Sequence, residues 1–85
     1  MQRPRRAVAL RYDAQKDQAP RVVAKGAEHV AQAIVRVAEE QGVPILEQKE
    51  LVEALYALEV DQVIPAELYQ AVAEILAYIY RYRRA

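Results

Sequence analysis

Hydrophobic and polar positions follow different periods along this chain, and the first third shows strand-like runs. Residues 7–12 form a short apolar stretch with β-branched and aromatic members, which predicts a strand buried on both faces. Residues 13–20 are mostly polar and end in Pro20, which predicts a loop. Residues 21–24 predict either a second short strand or the approach to a helix.

A helical period begins at Ala27. Five apolar residues fall at i, i+3, i+4, i+7 and i+11 and so share one helical face: Ala27, Val30, Ala31, Ile34 and Ala38. Gly42 suits the left-handed position that ends a helix. Residues 43–46 then predict a short strand with Pro44 near its start, and strands joined through a helix should be parallel with a right-handed crossover.

The second half of the chain is predicted to be helical. Leu51, Leu55 and Leu58 form an apolar stripe, residues 59–64 interrupt it, and Pro65 suits the first turn of a new helix. That last helix carries a wide apolar face, formed by two adjacent stripes that include Leu68, Val72, Ile75, Tyr69, Ala73 and Leu76. The pattern therefore predicts the α/β (α+β) class, with a small mixed sheet of about three to four strands flanked by about three to four helices.

Length and charge refine this picture. Eighty-five residues make one domain, expected at 7–85 behind a basic N-terminal arm at 1–6. Net charge is zero, yet residues 1–38 carry eight basic and three acidic side chains, whereas residues 39–74 carry nine acidic ones and only Lys49. The segregation favours a charged protein partner or a second copy, although two solvated surfaces of opposite sign explain it as well. With no long apolar run and no cysteine, a cytoplasmic location is the expectation.

Catalytic chemistry is poorly represented. The chain has no Cys, Ser or Thr, which excludes nucleophilic catalysis by those residues. His29 and the neighbouring carboxylate pairs, Glu39 with Glu40 and Glu50 with Glu53, are expected on solvated helix faces. The exposed-face Tyr78 is either an ordinary surface residue or a partner anchor. The sequence thus predicts a protein that is not an enzyme and holds no cofactor or metal.

Four segments in order resemble the export-switch proteins of flagellar and type III secretion, the FlhB/YscU group. Residues 7–12 are similar to that family's AVALKY strand, and residues 19–26 resemble its AP-x-VVAKG stretch. Residues 43–47 and 51–56 resemble VPI-x-E followed by L-x-x-ALY, and residues 64–78 resemble IP-x-ELY-x-AVAE-x-LAY. The resemblance runs from about Ala7 to Tyr82 and implies a small sheet flanked by helices, taking part in substrate switching at the export gate.

The family's self-cleaving Asn-Pro-Thr-His motif is missing. Its positions hold Gln2, Arg3, Pro4 and Arg5, without the Asn, Thr or His, so the chain is predicted not to cleave itself. In a cleaved relative, a strand upstream of the cut stays attached as a separate peptide. Almost nothing precedes residue 7 here, so that sheet edge is expected to be open and, beside the basic arm, to be a candidate docking site.

The sequence therefore predicts a non-catalytic protein-binding module of the export apparatus, whose partners are substrates, chaperones or gate components. Electrostatic docking is assigned to Arg5, Arg6, Arg11 and Lys25. One alternative is a structural protein that self-associates through the open edge or the last helix. A less favoured one is nucleic-acid binding through the basic termini, which the pI near 6.6 and the lack of a recognition motif oppose.

Overall fold

The computed structural model describes residues 5–12 and 19–83, with side chains described as far as Ala77. In these residues the chain forms two strands, β1 (Arg6–Arg11) and β2 (Arg21–Ala27), and three α-helices. The helices are α1 (His29–Gln41), α2 (Lys49–Tyr56) and α3 (Tyr69–Arg83), and a 3-10 turn at Ala66–Leu68 leads into α3. This confirms the α/β class and the number of helices, while the sheet has fewer strands than predicted.

The sheet is antiparallel. Arg6 lies opposite Ala27 and Arg11 opposite Arg21, and a bulge between Ala9 and Leu10 shifts the register. The predicted helix start at Ala27 is wrong, because Ala27 is the last residue of β2 and pairs with Arg6 of β1. The turn into α1 is made at Glu28, whose φ of 53° is uncommon for a residue other than glycine.

The predicted strand at residues 43–46, and with it the parallel crossover, is also wrong in this structure. Residues 43–48 have no regular secondary structure, and all of them are exposed. Strand character in the sequence is not sufficient, because a strand also needs a neighbour that takes up its backbone hydrogen bonds. In the described part of the chain, that segment has none.

The helices occupy both faces of the sheet. Ala7 and Gly26 face α1, and the site of a Cβ on Gly26 would lie 2.1 Å from Val30 Cγ1, so only glycine admits α1 this closely. On the other face, Leu55, Ile64 and Val72 form the buried core, all at most 3% exposed. Partly buried residues surround it: Val8, Leu10, Leu51, Leu58, Leu68 and Leu76.

Two predicted helix boundaries, at Gly42 and at Pro65, are confirmed. Gly42 adopts φ 70° after α1, where its N–H is donated to the carbonyl of Glu39, as predicted for a left-handed cap. Pro65 directly precedes the 3-10 turn that opens α3. The wide apolar face of α3 is only partly confirmed, since Val72 is buried whereas Tyr69 and Ala73 are exposed.

Candidate protein-binding surface

Three of the four predicted docking residues lie on β1 or just before it. Arg5 precedes the strand, Arg6 is its first residue and Arg11 its last, and all three are exposed. At about 3.4 Å per residue, Arg6 and Arg11 are separated by roughly 17 Å along the strand. The sequence-predicted set is therefore divided between the two ends of β1.

Lys25, the fourth predicted residue, is half-buried and bonded within the fold. Its Nζ donates to the carbonyl oxygens of Tyr56 at 2.9 Å and of Leu58 at 2.7 Å. These carbonyls lie at the C-terminal end of α2, where backbone acceptors lack helical partners and a cation is favoured. Lys25 thus anchors α2 to β2, and a role for it in binding a partner stays a prediction.

Tyr56 brings two of these cations together. The Arg6 guanidinium carbon lies 4.7 Å from the centre of the Tyr56 ring, and the Lys25 ammonium lies 5.2 Å from it. Both distances are within the range of cation–π attraction. Sequence reasoning did not select Tyr56, and a tyrosine at the end of an amphipathic helix gives no local sign that two cations from the sheet will meet it.

Arg6 also forms an ion pair with Glu53 on α2. The two side chains are 44% and 49% exposed, so water screens the pair and it contributes little to stability. Arg6 is therefore held more weakly within the domain than Lys25 is, and a role for it in binding a partner stays a prediction.

The other chemically notable residues lie where the sequence placed them. His29 is exposed, and so are Glu39, Glu40, Glu50 and Glu53. Within the described residues, no group of three or more His, Asp or Glu side chains could hold a metal ion. The side chain of Tyr78 and residues 1–4, including the positions of the missing cleavage motif, lie outside what the structure describes.

An open apolar groove of about 370 Å³ runs between α3 and the chain segments that flank the two strands. It was not predicted, because its walls come from three separate stretches of sequence. Its lining residues are Tyr12, Ala19, Pro20, Tyr69, Val72, Ala73, Leu76 and Ala77. A concave apolar surface of this size suits the side chains of a protein segment.

The described helices include none that is long and apolar enough to cross a membrane.

The family model for FlhB, HrpN, YscU and SpaS matches residues 4–79. Among curated proteins, the uncharacterized protein YlqH of Bacillus subtilis is 54% identical over 77 residues, which cover 91% of this chain and 83% of YlqH. The flagellar biosynthetic protein FlhB of the same organism is 46% identical over 76 residues, 88% of this chain.

The chain spans about a fifth of the length of the FlhB relatives it matches, 21% for the Bacillus protein. Solved structures agree with these matches. The cytoplasmic domain of FlhB from Shewanella putrefaciens superposes with a TM-score of 0.89 at 41% identity, covering 93% of this chain and 62% of that one. The PscU C-terminal domain superposes with a TM-score of 0.83 at 39% identity, and the match covers 87% of this chain and 95% of that domain.

Proposed function

Because the chain belongs to the FlhB, HrpN, YscU and SpaS family, we propose that it is a protein-binding module of a flagellar or type III export apparatus. The observation that carries the proposal is its match to the cytoplasmic domain of FlhB over 93% of the chain. The module would act in the cytoplasm at the export gate. Its partners would be export substrates, their chaperones or gate components.

The proposed role is non-catalytic. The chain lacks Ser, Thr, Cys and Asn altogether, so neither side-chain nucleophiles of that kind nor an asparagine that cyclises onto its own backbone are available. Intact mass spectrometry after days at neutral pH should show one species, apart from removal of Met1. A break between Gln2 and Arg6 in protease-free conditions would refute this part of the proposal.

Electrostatic steering by the basic end of β1 supports the binding role. Arg5 and Arg6 are exposed, and the described contacts of the Arg6 side chain are a screened ion pair and the Tyr56 ring. Exposed charges of one sign accelerate encounter with an oppositely charged partner, and salt weakens that effect. The apolar groove along α3 then offers contact area to a partner that has arrived.

Association kinetics with purified export substrates, chaperones and the cytoplasmic parts of gate proteins test this function. We expect measurable binding to at least one of them, weakening as salt is raised. Absence of binding to every component at low ionic strength would contradict the proposal. Sedimentation at several concentrations would instead reveal the self-associating alternative, and salt-dependent binding to random DNA would reveal the nucleic-acid alternative.

A further inference from the structure

α3 separates two grooves that differ in charge. Val72 and Leu76 line the first, the apolar groove of about 370 Å³. A second open groove, of about 340 Å³, lies on another side of the helix. Its lining residues are Leu46, Gln48, Leu51, Ala71, Glu74 and Ile75, and we name it the acid-rimmed groove.

Two helices hold the walls of the acid-rimmed groove in place. Ala71, Glu74 and Ile75 are spaced i, i+3 and i+4 on α3 and so share one helical face. Leu51 lies in the first turn of α2 and packs against the buried core. Leu46, in the connection before α2, is 38% exposed. The groove thus offers a positioned apolar surface, which a partner can remove from water with a gain in free energy.

The charge around this groove is mainly negative. Glu74 lines it, and this carboxylate forms no ion pair among the described residues. Glu47 and Glu50 are exposed and adjoin lining residues in the sequence, and Lys49 is the single basic residue between positions 39 and 74. By contrast, none of the described residues that line the apolar groove is charged. An apolar surface edged with carboxylates selects a ligand that combines apolar side chains with cations.

We propose that the acid-rimmed groove binds a short amphipathic segment of a partner protein, with apolar side chains on one face and lysine or arginine at its flanks. The apolar side chains fill the space between Leu51 and Ile75, and the cations reach the carboxylates at the rim. The arginines at the start of β1 attract acidic segments instead, so the two surfaces select partners of opposite charge. The proposal rests on the proposed function only for the source of the partner.

A second copy of this chain fits the acid-rimmed groove less well. In the described part of the basic half, residues 1–38, the most exposed large apolar side chains are Val30 and Val37, at 54% and 52%, and both lie on α1. The charged side chains of that helix are Arg36, Glu39 and Glu40. Docking α1 would therefore bring carboxylates to an acidic rim, which like-charge repulsion disfavours. A basic segment of a different protein is the better occupant.

The test uses a capped synthetic peptide, Lys-Lys-Leu-Ala-Gln-Leu-Leu-Lys-Lys, titrated into the 85-residue protein by calorimetry and NMR. Its leucines are spaced i, i+3 and i+4, so that they share one face of a helical segment. We expect saturable binding. Chemical-shift changes at Leu51, Ala71 and Ile75 should exceed those at Ala19 and Ala73, which line the apolar groove instead.

Two substitutions at adjacent exposed positions of α3 separate the groove from the overall charge of the protein. Ala71→Arg places a bulky cation in the groove, whereas Gln70→Arg adds the same charge at a position that lines neither groove. Peptide affinity should fall at least about tenfold for Ala71→Arg, because a cation then occupies the site of apolar contact. It should fall by about threefold or less for Gln70→Arg, the effect of one exposed charge.

The carboxylate at the rim is tested by a second matched pair. Glu74→Gln removes the lining charge, and Glu40→Gln removes an exposed carboxylate from α1. Peptide affinity should fall by about two- to fivefold for Glu74→Gln, the range of an exposed ion pair. Glu40→Gln should leave it unchanged within error.

A peptide with serine in place of each leucine provides a control on the unmodified protein, and it serves equally if a variant does not fold. It keeps every lysine, yet it should bind at least about tenfold more weakly because it buries no leucine. Equal binding of both peptides, no binding of either, shift changes confined to the apolar groove, or an affinity that Ala71→Arg leaves unchanged would overturn the inference. If export components bind while the leucine peptide does not, the inference fails and the proposed function stands.

Discussion

The two outer edges of the sheet differ among the described residues, because backbone hydrogen bonds from another segment cover the edge of β2 but not that of β1. β2 receives residues 61–64, which the turn at residues 58–62 presents to it, and Asp61 adopts φ 74° in that turn. Arg21 reinforces the contact, with its Nη1 donating to the carbonyl of Asp61 at 2.6 Å. β1 has no equivalent cover among the described residues. A covered edge contributes to stability, whereas an uncovered one contributes a surface that another chain can extend.

The largest effect is expected at the covered edge of β2, for which a second isoleucine is the control. Ile64 covers β2 and is 1% exposed, whereas Ile45 lies in the connection between α1 and α2 and is 43% exposed. Ile64→Ala should lower the free energy of unfolding by about 2–5 kcal/mol, because it leaves a cavity in the core. Ile45→Ala should change it by about 0.5 kcal/mol or less.

Denaturant melts of both isoleucine variants provide the measurement. Equal losses of stability would mean that Ile45 is as well packed as Ile64, and the burial of Ile64 would not account for the contribution of the covered edge.

The next effect concerns the approach of α1 to the sheet. A Cβ on Gly26 would meet both Cγ1 and Cβ of Val30, at 2.1 and 2.6 Å, so Gly26→Ala must displace the helix. We expect a loss of about 1–3 kcal/mol by chemical denaturation, typical of overpacking. Adding Val30→Ala should restore part of this stability, because it removes Val30 Cγ1. The rescue should be incomplete, because the Cβ at position 30 remains in the way. A stability cost that Val30→Ala leaves unchanged would show that Gly26 matters for another reason.

A smaller effect is expected at the anchor between β2 and α2. Lys25→Met keeps most of the apolar stem but removes the donor to the carbonyls of Tyr56 and Leu58. We expect a loss of about 1–2 kcal/mol in thermal or chemical unfolding, because two carbonyls lose a charged donor. Arg5→Met, at an exposed position, is the matched control and should be neutral. If both variants were neutral, the internal role of Lys25 would be refuted.

Much of the fold could be predicted from local sequence signals, and the failures have a common cause. Gly42 and Pro65 mark helix ends through backbone preferences that each residue carries by itself, so their positions were predicted correctly. Strand pairing depends on distant partners. Residues 43–46 have the composition of a strand but lack a neighbour in the described structure.

The candidate site shows the same limit. Exposure of Arg5 and Arg6 follows from their charge and their place before an apolar run. The bonds of Lys25 reach residues that are 31 and 33 positions away, so no local pattern revealed them. The groove along α3 also joins distant segments and was missed for this reason.

The smallest effect on stability should accompany a clear effect on binding. Reversing Arg5 and Arg6 together to Glu removes the basic end of β1 and repels an acidic partner. Association with an export component should slow several-fold at low ionic strength and converge with the unmodified protein at high salt. The melting temperature should change little, since the Arg6–Glu53 pair is screened. An unchanged association rate at low salt would leave these arginines as solvated surface residues.

Residue-resolved amide hydrogen exchange of the free protein tests the contrast between the edges most directly. The amides of Val22 and Ile64, bonded across the covered edge of β2, should exchange slowly and at similar rates. Along β1, Ala7 and Ala9 should be protected and Val8 should exchange much faster, because its N–H points away from β2. Slow exchange at Val8 in the free monomer would show that its edge is already covered and would contradict the account.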